Sequence, residues 1–149
     1  MFLAGIRIQG FRCFASEQIH FSPGLNVLLG ENNSGKTTVI KALELVLRPE
    51  GRRRPSFFDF HLPPADPLVP PSISVSVVFR STGIDTIEDK ALVATWLTRL
   101  DPPWEAEVTY RFALEPDEHE KCTAALAAIP LRDLGQYRRV VESFIDKYV

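Results

Sequence analysis

The stretch Gly30-Glu31-Asn32-Asn33-Ser34-Gly35-Lys36-Thr37-Thr38 constrains this chain more than any other. It matches the G-x-x-x-x-G-K-[ST] pattern of a phosphate-binding loop, whose parts work only in one local arrangement. Gly30 is expected to let the chain leave a strand by a sharp turn, and Gly35 to let backbone approach a polyphosphate closely. The N–H groups of Glu31, Asn32, Asn33 and Ser34 would then curl around phosphate oxygens, and the following helix would add the positive end of its dipole. Lys36 would reach the β- and γ-phosphates, Thr37 would offer its hydroxyl to Mg²⁺, and Thr38 would close the loop onto the helix. The flanks supply the required context. Leu25-Asn26-Val27-Leu28-Leu29 reads as a short buried strand, and Thr38 to Leu47 as a helix with Val39, Ala42, Leu43, Val46 and Leu47 on one face. Strand, glycine loop and helix imply binding of a nucleoside triphosphate with Mg²⁺.

With 149 residues the chain is long enough for one domain with a real core. Hydrophobic residues make up 45% and charged residues 24%, ordinary values for a globular protein. A net charge of −2 carries no global nucleic-acid signature, though a local patch could still contact DNA. Two cysteines, Cys13 and Cys122, are too few for a disulfide framework and fit a reducing compartment. The N-terminus lacks the pattern of a signal peptide, and no apolar run is long enough to span a bilayer. A cytoplasmic protein without membrane contact is expected.

Before the loop, Leu3 to Phe11 alternates with Ile6 and Ile8 on one face and Arg7 and Gln9 on the other. Glu17 to Phe21 reads as a second strand and Ser22-Pro23-Gly24 as a turn. After the loop, residues 62–71 hold five prolines and read as a stiff connector. Ser72 to Phe79 is the clearest strand, with Ile73, Val75, Val77 and Phe79 facing inward and serines outward. Thr86 to Leu97 looks helical, with a Thr86-x-x-Asp89 start. Trp104 to Leu114 alternates again, which places one wet face on an antiparallel part of the sheet. Pro116 opens a helix to about Ile129, and residues 131–149 read as a final helix striped by Leu134, Tyr137, Val140, Val141, Phe144 and Tyr148.

The opening Ile6-Arg7-Ile8-Gln9-Gly10-Phe11-Arg12-Cys13-Phe14, then Ile19 to Thr38, resembles the N-terminal lobe of ABC-type ATPases of the SMC, Rad50 and RecF class. The Asn32-Asn33-Ser34-Gly35-Lys36-Thr37-Thr38 variety is most similar to the OLD family (overcoming-lysogenization-defect ATPase-nucleases). The resemblance covers about the first 48 residues. It implies an α/β P-loop NTPase fold, ABC-ATPase-like, with a mixed, partly antiparallel sheet and flanking helices. It also implies a single, incomplete ATPase lobe over 1–149: 1–61 holds strands, loop and first helix, 62–71 is the connector, and 72–149 holds strands and C-terminal helices. Arg12 stands where the class carries an aromatic-Arg/Lys pair, so the resemblance directs it towards the nucleotide; the plain alternative is a solvated strand-end cation. Asn33 could contact the γ-phosphate region or simply tolerate the turn. Asp59-Phe60 resembles an Asp-Phe pair of OLD-like relatives, without a catalytic role.

Other candidate chemistry is sparse. Four arginines between Arg48 and Arg54 could hold phosphate or form a basic, solvated loop. Phe57, Phe58 and Phe60 read as anchors onto the core. His20, His61 and His119 lack metal-ligand spacing. No catalytic residue is identified: an apolar run ending in Asp-Glu, a Ser-Gly-Gly signature and a switch histidine are not found after Thr38. The resemblance to ABC-type ATPases implies a glutamine after the Ser72–Phe79 strand, where this chain has Arg80-Ser81-Thr82-Gly83 instead. Two readings follow. The chain is the ATP-binding N-terminal part of a DNA-associated ATPase in DNA repair or phage defence, which self-associates and hydrolyses only with downstream sequence; or it is a stand-alone nucleotide-binding regulatory module without hydrolysis.

Overall fold

A computed structural model describes residues 1–48, 53–130 and 133–149. Five strands form one sheet: β1 (Phe2–Phe11), β2 (Phe14–His20), β3 (Ile73–Arg80), β4 (Leu97–Arg99) and β5 (Glu105–Phe112), in the order β2-β1-β3-β5-β4. Among the described residues the α-helices are α1 (Lys36–Leu47), α2 (Ile87–Leu92), α3 (His119–Ala127) and α4 (Leu134–Ser143). The overall class is α/β, as expected. The expected mixed sheet is not: each of the four strand pairings is antiparallel.

Alternation decides the sheet's two faces. Ile6 pairs with Val77 and Ile8 with Val75, and all four side chains are at most 1% exposed. The opposite face is wet and stitched by polar pairs across strands: Arg7 to Glu107 at 2.5 Å, Ser76 to Thr109 at 2.7 Å and Arg80 to Glu105 at 2.6 Å. The apolar face carries α1 through Val39, Ala42 and Leu45, and the same core continues through Cys122, Leu126, Tyr137 and Val141. Four of the five residues expected on its inner face, Val39, Ala42, Leu43 and Val46, pack on this core. Leu45 is buried beside them and Leu47 is 47% exposed on a helix that contacts β1, β3 and β5.

The largest departure precedes α1. Leu25 to Leu29 forms no strand, and Leu25, Val27 and Leu29 are 91%, 66% and 88% exposed. A continuous apolar run suits a strand buried on both faces; here no described strand pairs with it. The helix expected over Thr86 to Leu97 is shorter. Thr86 and Asp89 do form a reciprocal capping box, but α2 ends at Leu92 and the chain passes through a 3₁₀ turn into edge strand β4. The last helix also stops early: Ala113 and Val149 exchange backbone hydrogen bonds of 2.9 and 2.8 Å, which pulls Tyr148 into the core at 1% exposure. Residues 131 and 132, expected to start that helix, lie outside the described residues. Phe57 and Phe60 anchor as expected, whereas Phe58 is 65% exposed and packs against the Arg138 guanidinium, 4.5 Å from its ring centroid.

Candidate functional site

The loop of residues 30–35 is shaped from three directions. Upstream, Asn26 ties the 22–26 turn: its Oδ1 accepts from the Ser22 N–H at 2.9 Å, and its Nδ2 donates to the Ser22 carbonyl at 2.7 Å. Within the loop, the Ser34 N–H donates to the Glu31 carbonyl at 3.3 Å, and Asn33 adopts φ 74°, a left-handed conformation that asparagine tolerates better than most residues. From outside, the β1–β2 hairpin presses against the loop. Gly35 has φ 93°, and a Cβ there would lie 2.4 Å from Phe14 Cζ and 3.1 Å from Cys13 Sγ. Glycine at position 35 is thus demanded by the protein's own hairpin as well as by backbone conformation.

α1 starts immediately after Gly35, with no acidic residue in its first turn. Its free N–H groups and the positive end of its dipole are therefore not neutralised by its own side chains. Lys36 folds back over the loop and donates from Nζ to the carbonyls of Gly30 and Glu31, both at 2.6 Å. Thr38 is 7% exposed, with its Oγ1 3.4 Å from Cys13 Sγ, whereas the Thr37 side chain is exposed. A cavity of about 320 Å³ opens among Arg12, Cys13, Asn32, Asn33, Gly35, Lys36, Thr37 and Thr38. Two cations and no carboxylate line it. Gly30, Glu31 and Ser34 do not line the cavity; they form the loop's turn and supply the carbonyls that hold Lys36.

Arg12 enters this cavity from the end of β1 with φ 50°. Its Nε and Nη2 donate to Asp59 Oδ1 at 3.1 and 3.0 Å, its own N–H donates to the Asp59 carbonyl at 2.8 Å, and its carbonyl meets His61 Nδ1 at 2.8 Å. Arg12 is thus a half-exposed cation at the end of β1 that is paired with Asp59. Asp59 is 7% exposed and its Oδ2 accepts from the Ser56 N–H at 3.0 Å and the Ser56 hydroxyl at 3.1 Å. Burial by itself would raise the Asp59 carboxyl, but the Ser56 N–H, the Arg12 guanidinium and the Ser56 hydroxyl together hold it below the ordinary carboxylate value. The role of Asp59 was missed from sequence, although Ser56-x-x-Asp59 has the capping-box spacing that marks a fixed turn.

Two members of the arginine cluster have protein acceptors. Arg53 donates to Ser56 Oγ at 2.9 Å, and Arg54 clamps the carbonyls of Tyr148 at 2.6 Å and Ile145 at 3.0 Å. Both arginines are engaged by protein acceptors; residues 49–52 lie outside the described residues. A larger cleft of about 860 Å³ runs beside Leu47, Tyr110 and Phe112; its walls are mostly apolar, with Arg111 and the clamped Arg54 as its cations.

Comparison with known proteins agrees with the N-terminal emphasis. Over 46 residues the chain is 46% identical to the DNA replication and repair protein RecF of Symbiobacterium thermophilum, covering 31% of this chain and 12% of that protein. Over 44 residues it is 46% identical to the DNA double-strand break repair Rad50 ATPase of Methanopyrus kandleri, covering 30% of this chain and 5% of that one. Over 54 residues it is 37% identical to the chromosome partition protein Smc of Mycolicibacterium paratuberculosis, covering 36% of this chain and 4% of that one. The chain thus matches only a small part of each relative's length. Residues 1–98 match the AAA ATPase domain as a family, and that span contains β1, β2, the loop, α1 and β3. With well over half its length so matched, the chain belongs to the AAA ATPase domain family.

Proposed function

We propose that residues 30–38 are the phosphate-binding loop of a P-loop NTPase lobe and that they bind ATP with Mg²⁺. The observation that carries this reading is the cavity where Lys36 and Arg12 meet the unneutralised start of α1 with no carboxylate in the lining. Lys36 Nζ already sits at the loop's centre, held by two carbonyls. Triphosphate oxygens would replace those neutral acceptors with charged ones, which form shorter and stronger hydrogen bonds. The exposed Thr37 hydroxyl is a hard oxygen donor of the kind Mg²⁺ takes, beside the position of the phosphates. Thr38 is engaged with Cys13 and is the less available of the two threonines. Bound ATP supplies a scissile phosphoanhydride; these residues bind and orient it and offer no general base.

The larger role rests on the relatives. This lobe is read as the N-terminal part of a DNA-associated ABC-type ATPase, similar to RecF, Rad50 and Smc, with hydrolysis completed by residues from further sequence or a second subunit. The exposed Leu25, Val27 and Leu29 support a lobe that packs against such a partner. Within this class the Asn32-Asn33-Ser34 loop favours the OLD family and a role in DNA repair or phage defence. The direct experiment is calorimetric titration of the chain and its Lys36→Ala variant with ATP, with and without Mg²⁺. Saturable Mg²⁺-dependent binding that Lys36→Ala weakens at least about tenfold is expected, since a single charged contact of this kind contributes ~1.5–3 kcal/mol. Equal affinity in both proteins would reject the reading.

A further inference from the structure

Arg12 could contact a ligand only if something holds its flexible side chain at the cavity, and the structure shows what does. Residues 10–12 and 59–61 are stapled together along their backbones. The Arg12 N–H donates to the Asp59 carbonyl at 2.8 Å, the His61 N–H donates to the Gly10 carbonyl at 2.9 Å, and Phe11 bridges to Phe60. On this staple the Asp59 carboxylate takes two donors of the Arg12 guanidinium on one oxygen and is itself fixed through its other oxygen by Ser56. A guanidinium has five N–H donors. Nε and one N–H of Nη2 are spent on Asp59, which leaves three without a partner among the described residues on a side chain that lines the cavity with Lys36.

We infer that Asp59 is a positioning residue for nucleotide binding: it orients Arg12 so that the guanidinium's remaining donors serve the phosphates, without touching the nucleotide itself. The inference rests on the proposed ATP site. Its physical basis is preorganisation. Arginine loses substantial rotamer freedom when it is fixed, and a carboxylate that fixes it beforehand removes that cost from the binding step. Asp59 also sets the charge balance. A neutral side chain at position 59 would keep most of the shape but lose the charge-assisted grip on Arg12.

The test is a double-mutant cycle on MgATP affinity with Arg12→Ala, Asp59→Asn and the pair, beside Ser56→Ala, Asp59→Glu and Lys36→Ala. Each of Arg12→Ala and Asp59→Asn should weaken MgATP about tenfold, equivalent to ~1.4 kcal/mol, and the double variant should bind no more weakly than Arg12→Ala alone. Asp59→Glu should recover part of the loss. Ser56→Ala loosens the same turn but leaves the Arg12 contact, so it should lower the melting temperature while changing affinity less than about twofold. A merely structural Asp59 predicts otherwise: additive losses in the cycle, or a Ser56→Ala loss as large as that of Asp59→Asn. Either result, or unchanged affinity in Asp59→Asn, overturns the inference while leaving Lys36-dependent binding intact. If the parent chain shows no Lys36-dependent binding, the ATP site itself fails and the inference falls with it.

Discussion

Two apolar segments meet opposite fates in this fold. Ile73–Arg80 lies at the centre of the sheet, paired on both sides, with Ile73, Val75 and Val77 at 0% exposure. Leu25 to Leu29 is the more hydrophobic run, yet three of its side chains stand mostly in solvent. The difference is one of pattern. Ile-Ser-Val-Ser-Val alternates, so one face can join a core while the other stays wet, and β1 and β5 supply matching neighbours. Leu-Asn-Val-Leu-Leu requires cover on nearly all sides, and the described part of the chain gives it only through Leu28, which is partly buried against the core. Hydrophobicity sets the demand for burial; the availability of a partner decides whether it is met.

The sharpest way to break this comparison is to place a charge in each segment. Val77→Asp, at 0% exposure, should abolish cooperative folding, because an unpaired buried carboxylate costs several kcal/mol. Val27→Asp, at 66% exposure, should shift urea-unfolding stability by no more than about 0.5 kcal/mol. Equal losses at the two sites would show that Leu25 to Leu29 is packed after all.

The next largest effect lies where the exposed segment turns back onto the sheet. Gly35→Ala puts a methyl 2.4 Å from the Phe14 ring at φ 93° and should cost about 2–3 kcal/mol, whereas Gly24→Ala, at φ 90° with open space, should cost only about 1 kcal/mol. Melting curves of the two variants separate contact from backbone strain. A Gly35→Ala cost no greater than that of Gly24→Ala would remove the hairpin's part in shaping the loop.

A smaller, pH-dependent difference should mark the staple that joins β1 to residues 59–61. The Asp59 carboxyl is held below its unfolded value, so its stabilisation is complete above about pH 4 and is lost as pH falls through the lower folded value. Asp59→Asn should therefore reduce the acid-side slope of stability against pH. Asp85 should keep part of that slope, since its carboxylate is also held low, by the N-terminal amine and Ser81. An unchanged slope in Asp59→Asn would contradict the ion pair.

The smallest effect is expected in the core itself. The Tyr137 and Tyr148 hydroxyls are buried without a hydrogen-bond partner among the described residues. Tyr137→Phe should be neutral or stabilising by up to about 1 kcal/mol at pH 7. Burial, with Cys122 nearby, pushes the Tyr137 hydroxyl from 10.0 up to about 12, so the parent loses stability as pH rises across that interval and the variant should lose less. A clear loss at neutral pH would reveal a partner for that hydroxyl.

Much of this architecture was legible in residue order, for identifiable reasons. The serines of Ile73–Arg80 and the charges of Glu105–Phe112 announce strands with one wet face, and the glycine-lysine-threonine run announces the turn into α1. What escaped depends on long-range partners. Whether Leu25 to Leu29 is a strand depends on a neighbour; the end of α2 depends on β4 joining β5. Asp59 lies 47 residues from Arg12, and local pattern showed only that it could cap a turn. On α1 the spacing identified Val39, Ala42, Leu43 and Val46 but not the Leu45-for-Leu47 exchange, because periodicity does not set the angle at which a helix crosses its sheet.

The most direct measurement of the central claim is amide hydrogen exchange, with and without MgATP. Contact with phosphates predicts slowed exchange confined to the amides of residues 30–40, with β1, β3 and β5 unchanged because they are already protected. No slowing at those amides in the presence of saturating MgATP, or slowing centred instead on the cleft beside Tyr110 and Phe112, would contradict a phosphate site at Gly30 to Thr38.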